Sequence, residues 1–174
     1  FRPGVDPKVA ALVEPLTVGV HDLRRSGLRA GETVFISGAG PIGLIIGTMC
    51  RFAGASQVVL SELDPVRIQM AENFGFSVVN PTQEDFADAC RELSGGDGFD
   101  KAFEIAAVQS SFDICVQQLR RGGTLIQVGM PPAGKVFGLD INKIIYSECC
   151  LLGVRHHTMS DMQPAAKLIN SGVL

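Results

Sequence analysis

The stretch of sequence that decides the fold is residues 34–47, which read VFISGAGPIGLIIG. A β-branched and aromatic run is joined to a second, unbroken apolar run through three glycines, Gly38, Gly40 and Gly43. The second run continues to Ala53 with no charge before Arg51, which is typical of a helix buried on most of its sides. The glycines therefore fall where a strand turns sharply into a buried helix.

The turn lies inside a βαβ unit. A short strand is predicted over 33–37, a helix over 42–53, and the next strand over 58–61. The unit is about thirty residues long, the usual length of a βαβ crossover. A GxGxxG turn in that setting indicates a dinucleotide-binding site, whereas the same turn outside it is only a flexible loop.

Each residue of the turn has a predicted role in cofactor binding. Gly38 permits the tight turn, Gly40 lets the backbone approach a pyrophosphate, and Gly43 lets the helix pack closely on the strand. Pro41 and Ile42 begin the helix, whose free N–H groups and dipole favour an anion. We therefore predict that these five residues bind the cofactor.

An acidic residue follows the second strand at the spacing that such a site requires. Glu62 stands 19 residues after Gly43, where a carboxylate accepts hydrogen bonds from both hydroxyls of the adenosine ribose. A 2′-phosphate would meet like charge there, so we predict NAD rather than NADP. Asp64 is better explained as the N-cap of the next helix. Arg67, one turn into that helix, flanks the adenine or, as the alternative, helps to accept a 2′-phosphate.

Strands and helices continue to alternate over residues 32–155. Further strands are predicted at 76–79, 101–105, 124–128 and 149–154, and Thr82 with Asp85 is predicted to form a capping box that opens the helix after the third strand. A helix at about 7–26 opens the chain and a short helix at about 161–170 closes it. The pattern predicts an α/β protein: a Rossmann doubly wound, six-stranded parallel sheet with helices on both faces, in the order 3-2-1-4-5-6. We expect residues 1–174 to form this single NAD-binding domain.

Composition narrows the class of protein. The 174 residues carry a formal net charge of −3 and no run of Lys or Arg longer than a pair, which argues against a nucleic-acid surface. The longest apolar run, 41–50, is too short to span a bilayer and has no signal-peptide features. Five cysteines, an odd number with no CxxC pair, indicate small core residues rather than disulfides or a structural zinc site. We expect a soluble, cytoplasmic protein.

A longer segment, residues 10–47, carries a resemblance to a known family. AALVEPLTVGVHDLRRSGLRAGETVFISGAGPIGLIIG is similar to the medium-chain, zinc-dependent alcohol dehydrogenases, particularly their sorbitol, polyol and threonine dehydrogenase branch. Nearly the whole chain resembles their coenzyme-binding domain. Other supporting residues are Ser61-Glu62, the run Arg121 to Thr124, Val128-Gly129 and Gly153.

The resemblance implies an oxidoreductase that transfers hydride between a zinc-bound secondary alcohol or polyol and NAD. Most zinc ligands of the family lie in a GroES-like catalytic domain, which these 174 residues lack, so we expect the chain alone to bind cofactor but not to catalyse. Glu14 stands where the family places a further residue of the catalytic zinc site, touching the metal directly or through its water. Val128, Gly129 and Met130 stand near the nicotinamide of the family.

The predicted sixth strand, 149–154, suggests how copies of the chain associate. It lies at a sheet edge and contains no lysine, proline or inward charge that would discourage pairing. The family resemblance implies a homodimer or homotetramer that joins through this strand, and the alternative is an edge covered by its own loop. The adjacent His156 and His157 point apart on an extended chain, so we interpret them as surface-loop residues rather than metal ligands.

Two other functions remain open at this stage. The first is a non-catalytic module that binds NAD(H) and regulates a partner. The second is a zinc-independent quinone reductase of the same superfamily, which is disfavoured because Glu14 has no purpose there. In either case we expect neither nucleic acid nor membrane as a partner.

Overall fold

A computed structural model of the chain describes residues 2–172. Phe1, Val173 and Leu174, which belong to the predicted domain range, lie outside the described residues. The helices are α1 Pro7–Ala11, α2 Val13–Ser26, α3 Pro41–Phe52, α4 Pro65–Asn73, α5 Phe86–Leu93, α6 Gln109–Gln118, α7 Ile141–Ser147 and α8 Met159–Ser171. The strands are β1 Thr33–Ser37, β2 Gln57–Ser61, β3 Ser77–Val79, β4 Phe99–Glu104, β5 Leu119–Gln127 and β6 Cys150–Gly153.

The six strands form one parallel sheet in the order β3-β2-β1-β4-β5-β6, which confirms the predicted fold. In its centre Phe35 of β1 pairs with Val59 of β2 on one side and with Ala102 of β4 on the other. All carboxyl ends therefore lie at one edge of the sheet. The strand order reverses between β1 and β4, which is where open α/β sheets bind their ligands.

Both faces of the sheet are buried. Val34 and Ile36 of β1 pack with Ile46 of α3 on one face. Phe35, the residue between them, packs with Phe112 of α6 on the other. Successive strand side chains point to opposite faces, so helices on both sides explain why the inner residues of β1 and β2 are apolar on both faces.

Helix α3 is covered on two sides, which explains its lack of charge. Ile46 packs on the sheet, while Met49 packs with Leu16 of α2 and Ile169 of α8. At Gly19 of α2 an added Cβ would lie 2.6 Å from Cγ2 of Ile45, so these helices approach closely. Across residues 2–172, no helix combines the length and the hydropathy needed to cross a membrane.

The predicted opening helix, 7–26, is wrong in one respect, because it is two helices. The break at Leu12 is explained by Pro15, which lacks the amide that would donate to the Ala11 carbonyl and whose ring crowds that carbonyl. The Leu12 amide donates instead to the Val9 carbonyl at 3.1 Å, as in a tighter turn.

The segment after β3 also differs from the prediction. Asn80, not Thr82, caps the local turn, because its Oδ1 accepts from the Thr82 amide at 3.0 Å and from the Thr82 hydroxyl at 2.8 Å. Helix α5 begins only at Phe86, and Asp85 makes no side-chain capping bond. Helix α7 was not predicted, and β5 begins at Leu119 rather than at Thr124.

Candidate functional site

The glycine turn connects β1 to α3 at the carboxyl edge of the sheet. Gly38 has φ +116°, a conformation that side chains rarely adopt. A Cβ at Gly43 would lie 2.0 Å from the carbonyl oxygen of Gly38, so only glycine fits there. The turn is held to β2 by the Gly38 amide, which donates to the Ser61 carbonyl at 2.8 Å.

Gly40 faces open space. Its φ is −70°, and an added Cβ would have only Nη1 of Arg67 within 4 Å, at 3.9 Å. Gly40 is the N-cap of α3, and Pro41 is the first residue of that twelve-residue helix. A helix N-terminus attracts anions through its unpaired amides and its dipole. The turn is therefore a cradle with open space at Gly40, beside the start of a helix.

Glu62 lies next to this cradle. Its Oε2 accepts from the Ala39 amide at 3.0 Å, and its Oε1 accepts from the amides of Leu63 at 2.8 Å and Asp64 at 3.1 Å. Partial burial acts to raise the pKa of Glu62, but the three amides and the nearby Arg67 outweigh it and hold that pKa below its ordinary value. The carboxylate is thus ionised and fixed in place.

Helix α4 places Arg67 beside Glu62. Asp64 caps this helix, as predicted, by accepting from the amides of Val66 at 2.8 Å and Arg67 at 3.0 Å. Nη1 of Arg67 lies 3.9 Å from Oε2 of Glu62, and the arginine side chain is 59% exposed. The structure thus brings the predicted residues of the glycine turn, Glu62 and Arg67 into one site.

The other predicted residues lie across the switch point, beside a cavity of about 480 Å³ at the ends of β5 and β6. Val128, Gly129 and Met130 line it together with the loop after β6. A Cβ at Gly129 would lie 2.7 Å from the Ile105 carbonyl oxygen, so the loops after β4 and β5 touch there.

A carboxylate that the sequence analysis missed fixes these loops. Glu104, the last residue of β4, is fully buried. Its Oε1 accepts from the Ala107 amide at 2.8 Å and from the Ser111 hydroxyl, and its Oε2 accepts from the side-chain amide of Gln127. Its backbone carbonyl accepts from the amides of Val128 and Gly129 at 2.9 and 2.8 Å. The one signal in the sequence was the position of Glu104 at the end of a buried strand, which resembles the position of Glu62 directly after β2.

The sequence analysis also missed Asp22. This residue of α2 is 1% exposed and lines the cavity with Val18, Gln127 and Val154. Neither of its carboxyl oxygens has a hydrogen-bond partner in the structure of residues 2–172. Helical spacing gave no signal for Asp22, because the spacing does not show which residues of other elements surround a side chain.

Glu14 lies apart from the cofactor cradle, near the start of α2. Its side chain is 66% exposed, and its Oε1 lies 4.0 Å from Nδ1 of His157 in the loop after β6. The structure therefore places His157, interpreted as a surface-loop residue, next to the predicted metal residue. Among the described residues, however, no group of three or more His, Cys, Asp or Glu side chains is placed to hold a metal ion.

Helices α2 and α8 are clamped together behind the cavity. Asp161 of α8, 2% exposed, accepts from Nε of Arg24 and pairs with Nδ1 of His21, both at 2.9 Å. It also caps its own helix by accepting from the Thr158 amide at 2.8 Å. The clamp therefore joins α8 to the helix that carries Asp22.

A parallel sheet in the order β3-β2-β1-β4-β5-β6, with a glycine turn at its switch point, defines a fold of the Rossmann type. Residues 41–171 match the profile of the zinc-binding dehydrogenases, and the chain belongs to that family. Sorbitol and L-threonine 3-dehydrogenases are among the matching proteins, which confirms the predicted branch.

Three of the similar proteins show how far the likeness extends. The 2-dehydro-3-deoxy-L-galactonate 5-dehydrogenase of Pseudoalteromonas atlantica is 36% identical over 173 residues, covering 97% of this chain and 49% of the relative. Sorbitol dehydrogenase 1 of Saccharomyces cerevisiae is 34% identical over 177 residues, with the same two coverages. A Sinorhizobium meliloti 1021 protein described as a zinc-binding dehydrogenase and solved with bound NADP is 29% identical, with a TM-score of 0.89 over 99% of this chain and 51% of that one. The chain spans about half the length of the curated relatives it matches.

Proposed function

We propose that this chain is the NAD-binding part of a dehydrogenase that transfers hydride between a secondary alcohol or polyol and NAD. The observation that carries the proposal is the glycine cradle, which is open at Gly40 and closed at Gly43, with Glu62 beside it. The sorbitol and galactonate dehydrogenases named above, both of which act on polyhydroxylated compounds, support the substrate class.

We assign the two ends of the cofactor to the two sides of the switch point. The pyrophosphate lies on the cradle formed by Gly38 to Gly43, and the carboxylate of Glu62 accepts the hydroxyls of the adenosine ribose. The nicotinamide lies in the cavity beside Val128, Gly129 and Met130. Bound there, the cofactor supplies the hydride chemistry, while the chain orients the ring and shields one side of it from water.

We propose NAD rather than NADP as the cofactor. The carboxylate of Glu62 is ionised because its pKa is held low. A 2′-phosphate on the adenosine ribose would therefore lie next to a group of like charge. The S. meliloti neighbour binds NADP, which makes the role of Arg67 the point to test. Arg67 is already engaged with Glu62 at 3.9 Å, and this pairing supports its place beside the adenine.

The proposal also covers a zinc site, the oligomeric state and the cellular compartment of the protein. We propose that Glu14 contributes to a zinc site whose other ligands lie in the part of the protein that corresponds to the remaining half of the relatives. Strand β6 supports a homodimer or homotetramer, because within residues 2–172 it pairs only with β5 and Leu151 on it is 46% exposed. All five cysteines are unpaired, which supports a reducing compartment, the cytoplasm.

A calorimetric titration tests the central claim. We expect the wild-type protein to bind NAD⁺ with saturation and NADP⁺ more weakly. Glu62→Ala lowers NAD⁺ affinity at least about tenfold, because charge-assisted hydrogen bonds to the ribose are lost. The matched control is Glu92→Ala, which removes the same charge from the exposed surface of α5 and leaves affinity unchanged. Equal affinities for both cofactors, or equal losses in both variants, contradict the proposal.

A further inference from the structure

The wall of the cavity carries an acidic side chain that the fold does not explain. Asp22 is 1% exposed, and both of its carboxyl oxygens lack partners within the described structure. Oε1 of Gln127, on the same cavity, is also buried and accepts from no donor among residues 2–172. Buried polar groups are nearly always hydrogen-bonded, because leaving one unpaired is costly. Two unpaired acceptors on one cavity indicate a ligand that donates hydrogen bonds or carries positive charge.

The groups around Asp22 place its proton exchange near neutral pH. Burial, reinforced by the negative charge of Asp161 on α8, raises the pKa of Asp22 to about 7. The side chains of His21 and Arg24 of α2 contact Asp161 rather than Asp22. Arg155 and His156, from the loop after β6, line the same cavity and are exposed to solvent.

We propose that Asp22 makes this cavity prefer the oxidised form of the nicotinamide cofactor to the reduced form. The inference rests on the proposed function, which places the nicotinamide there. The oxidised ring is a pyridinium with one positive charge, whereas the reduced ring is neutral. When the cationic ring enters, the Asp22 carboxyl releases its proton to solvent and the carboxylate pairs with the ring charge. The neutral ring leaves the carboxyl protonated.

The test compares two forms of the cofactor at two pH values. Dissociation constants for NAD⁺ and NADH are measured at pH 6 and pH 8.5 on the wild-type protein, with ADP-ribose as a ligand that lacks the ring. We expect the ratio of the NADH constant to the NAD⁺ constant to rise on the order of tenfold between these pH values. ADP-ribose affinity stays constant, because Asp22 lines only the cavity assigned to the ring.

Two variants assign the effect to Asp22. Asp22→Asn keeps the shape of the side chain and makes the ratio independent of pH. His156→Gln, which removes an imidazole from the wall of the same cavity, keeps the pH dependence of the wild-type protein.

The outcomes distinguish a failure of the inference about Asp22 from a failure of the proposed function. A wild-type ratio that does not change with pH overturns the inference without any variant, and so does a pH dependence that survives in Asp22→Asn. If ADP-ribose and NAD⁺ both fail to bind the wild-type protein, the proposed function itself is wrong, and this inference with it.

Discussion

Substituting alanine for Gly43 tests whether the glycine turn is a packing requirement of the fold. The added methyl group would lie 2.0 Å from the Gly38 carbonyl oxygen, whereas Cβ contacts shorter than 3.0 Å essentially do not occur. Helix α3 and the turn must therefore separate by at least 1.0 Å. The separation loosens Ile46 and Cys50, both fully buried in the layer between α3 and the sheet.

The expected cost follows from this displacement. Forcing an extra methylene into a packed site costs about 1–3 kcal/mol, and the backbone contact here belongs to the upper end. Replacing glycine by alanine inside a helix returns about 1 kcal/mol. The net loss is about 2 kcal/mol, which for a chain of this length lowers Tm by roughly 4–8 °C.

Thermal unfolding followed by circular dichroism measures the effect, and Gly40→Ala is the matched control. The φ of −70° at Gly40 suits alanine and the space around it is open, so that variant melts at or slightly above the wild-type temperature. Its NAD⁺ affinity falls, because the methyl group occupies the place of the pyrophosphate. A Gly43→Ala variant that melts within 2 °C of wild type, as an approximate limit, would refute the reasoning.

Three further predictions concern the buried acids and the thiols. Asp161→Asn lowers the free energy of unfolding by about 3 kcal/mol, because the buried carboxylate that contacts Arg24, His21 and Thr158 loses its charge. Arg24→Met costs less, because Arg24 is 55% exposed and Asp161 keeps its contacts with His21 and Thr158; urea unfolding compares the two variants. In the folded protein Asp22 keeps a proton that the unfolded chain releases, so the free energy of unfolding falls as pH rises from about 4 to about 7. In urea titrations at pH 5 and 8, Asp22→Asn lacks this fall. A fall of the same size in the variant contradicts the assignment. A maleimide leaves Cys50, Cys90 and Cys115 unmodified in the native protein, because burial shields their thiols and raises the pKa of each, and peptide mass spectrometry measures the labelling.

The fold was predictable because its signals are local and repeated. Strands β1 and β2 contain short apolar runs, and the turn at residues 38–43 carries its conformational demands in its own glycines. The break at Leu12 escaped notice because apolar residues keep helical spacing across it, although Pro15 held the information. Helix α7 was missed because its apolar residues do not form a buried face; Ile141 is 57% exposed and Ile145 is 62% exposed.

The candidate site was predictable only where a motif defines it. Gly40 and Glu62 have a characteristic spacing, so their proximity followed from sequence. The environments of Asp22 and Glu104 depend on elements that are distant in the chain. Asp22 has no hydrogen-bond partner among the described residues, whereas Glu104 has several. Nothing in their neighbouring residues distinguishes these two environments. The same reason hid the approach of His157 to Glu14.

The pairing of β1 with β4 has a consequence for how the chain acquires its site. Strands β1, β2 and β3 are neighbours in sequence, whereas contact between Thr33 and Asp100 closes a loop of 67 residues. Closing a long loop precedes any gain from the contacts it makes, so this pairing is expected late in folding. The cradle and the cavity lie on opposite sides of that seam. A kinetic trace of cofactor binding during refolding thus reports the final docking of the two halves, after circular dichroism has already recovered most of its signal.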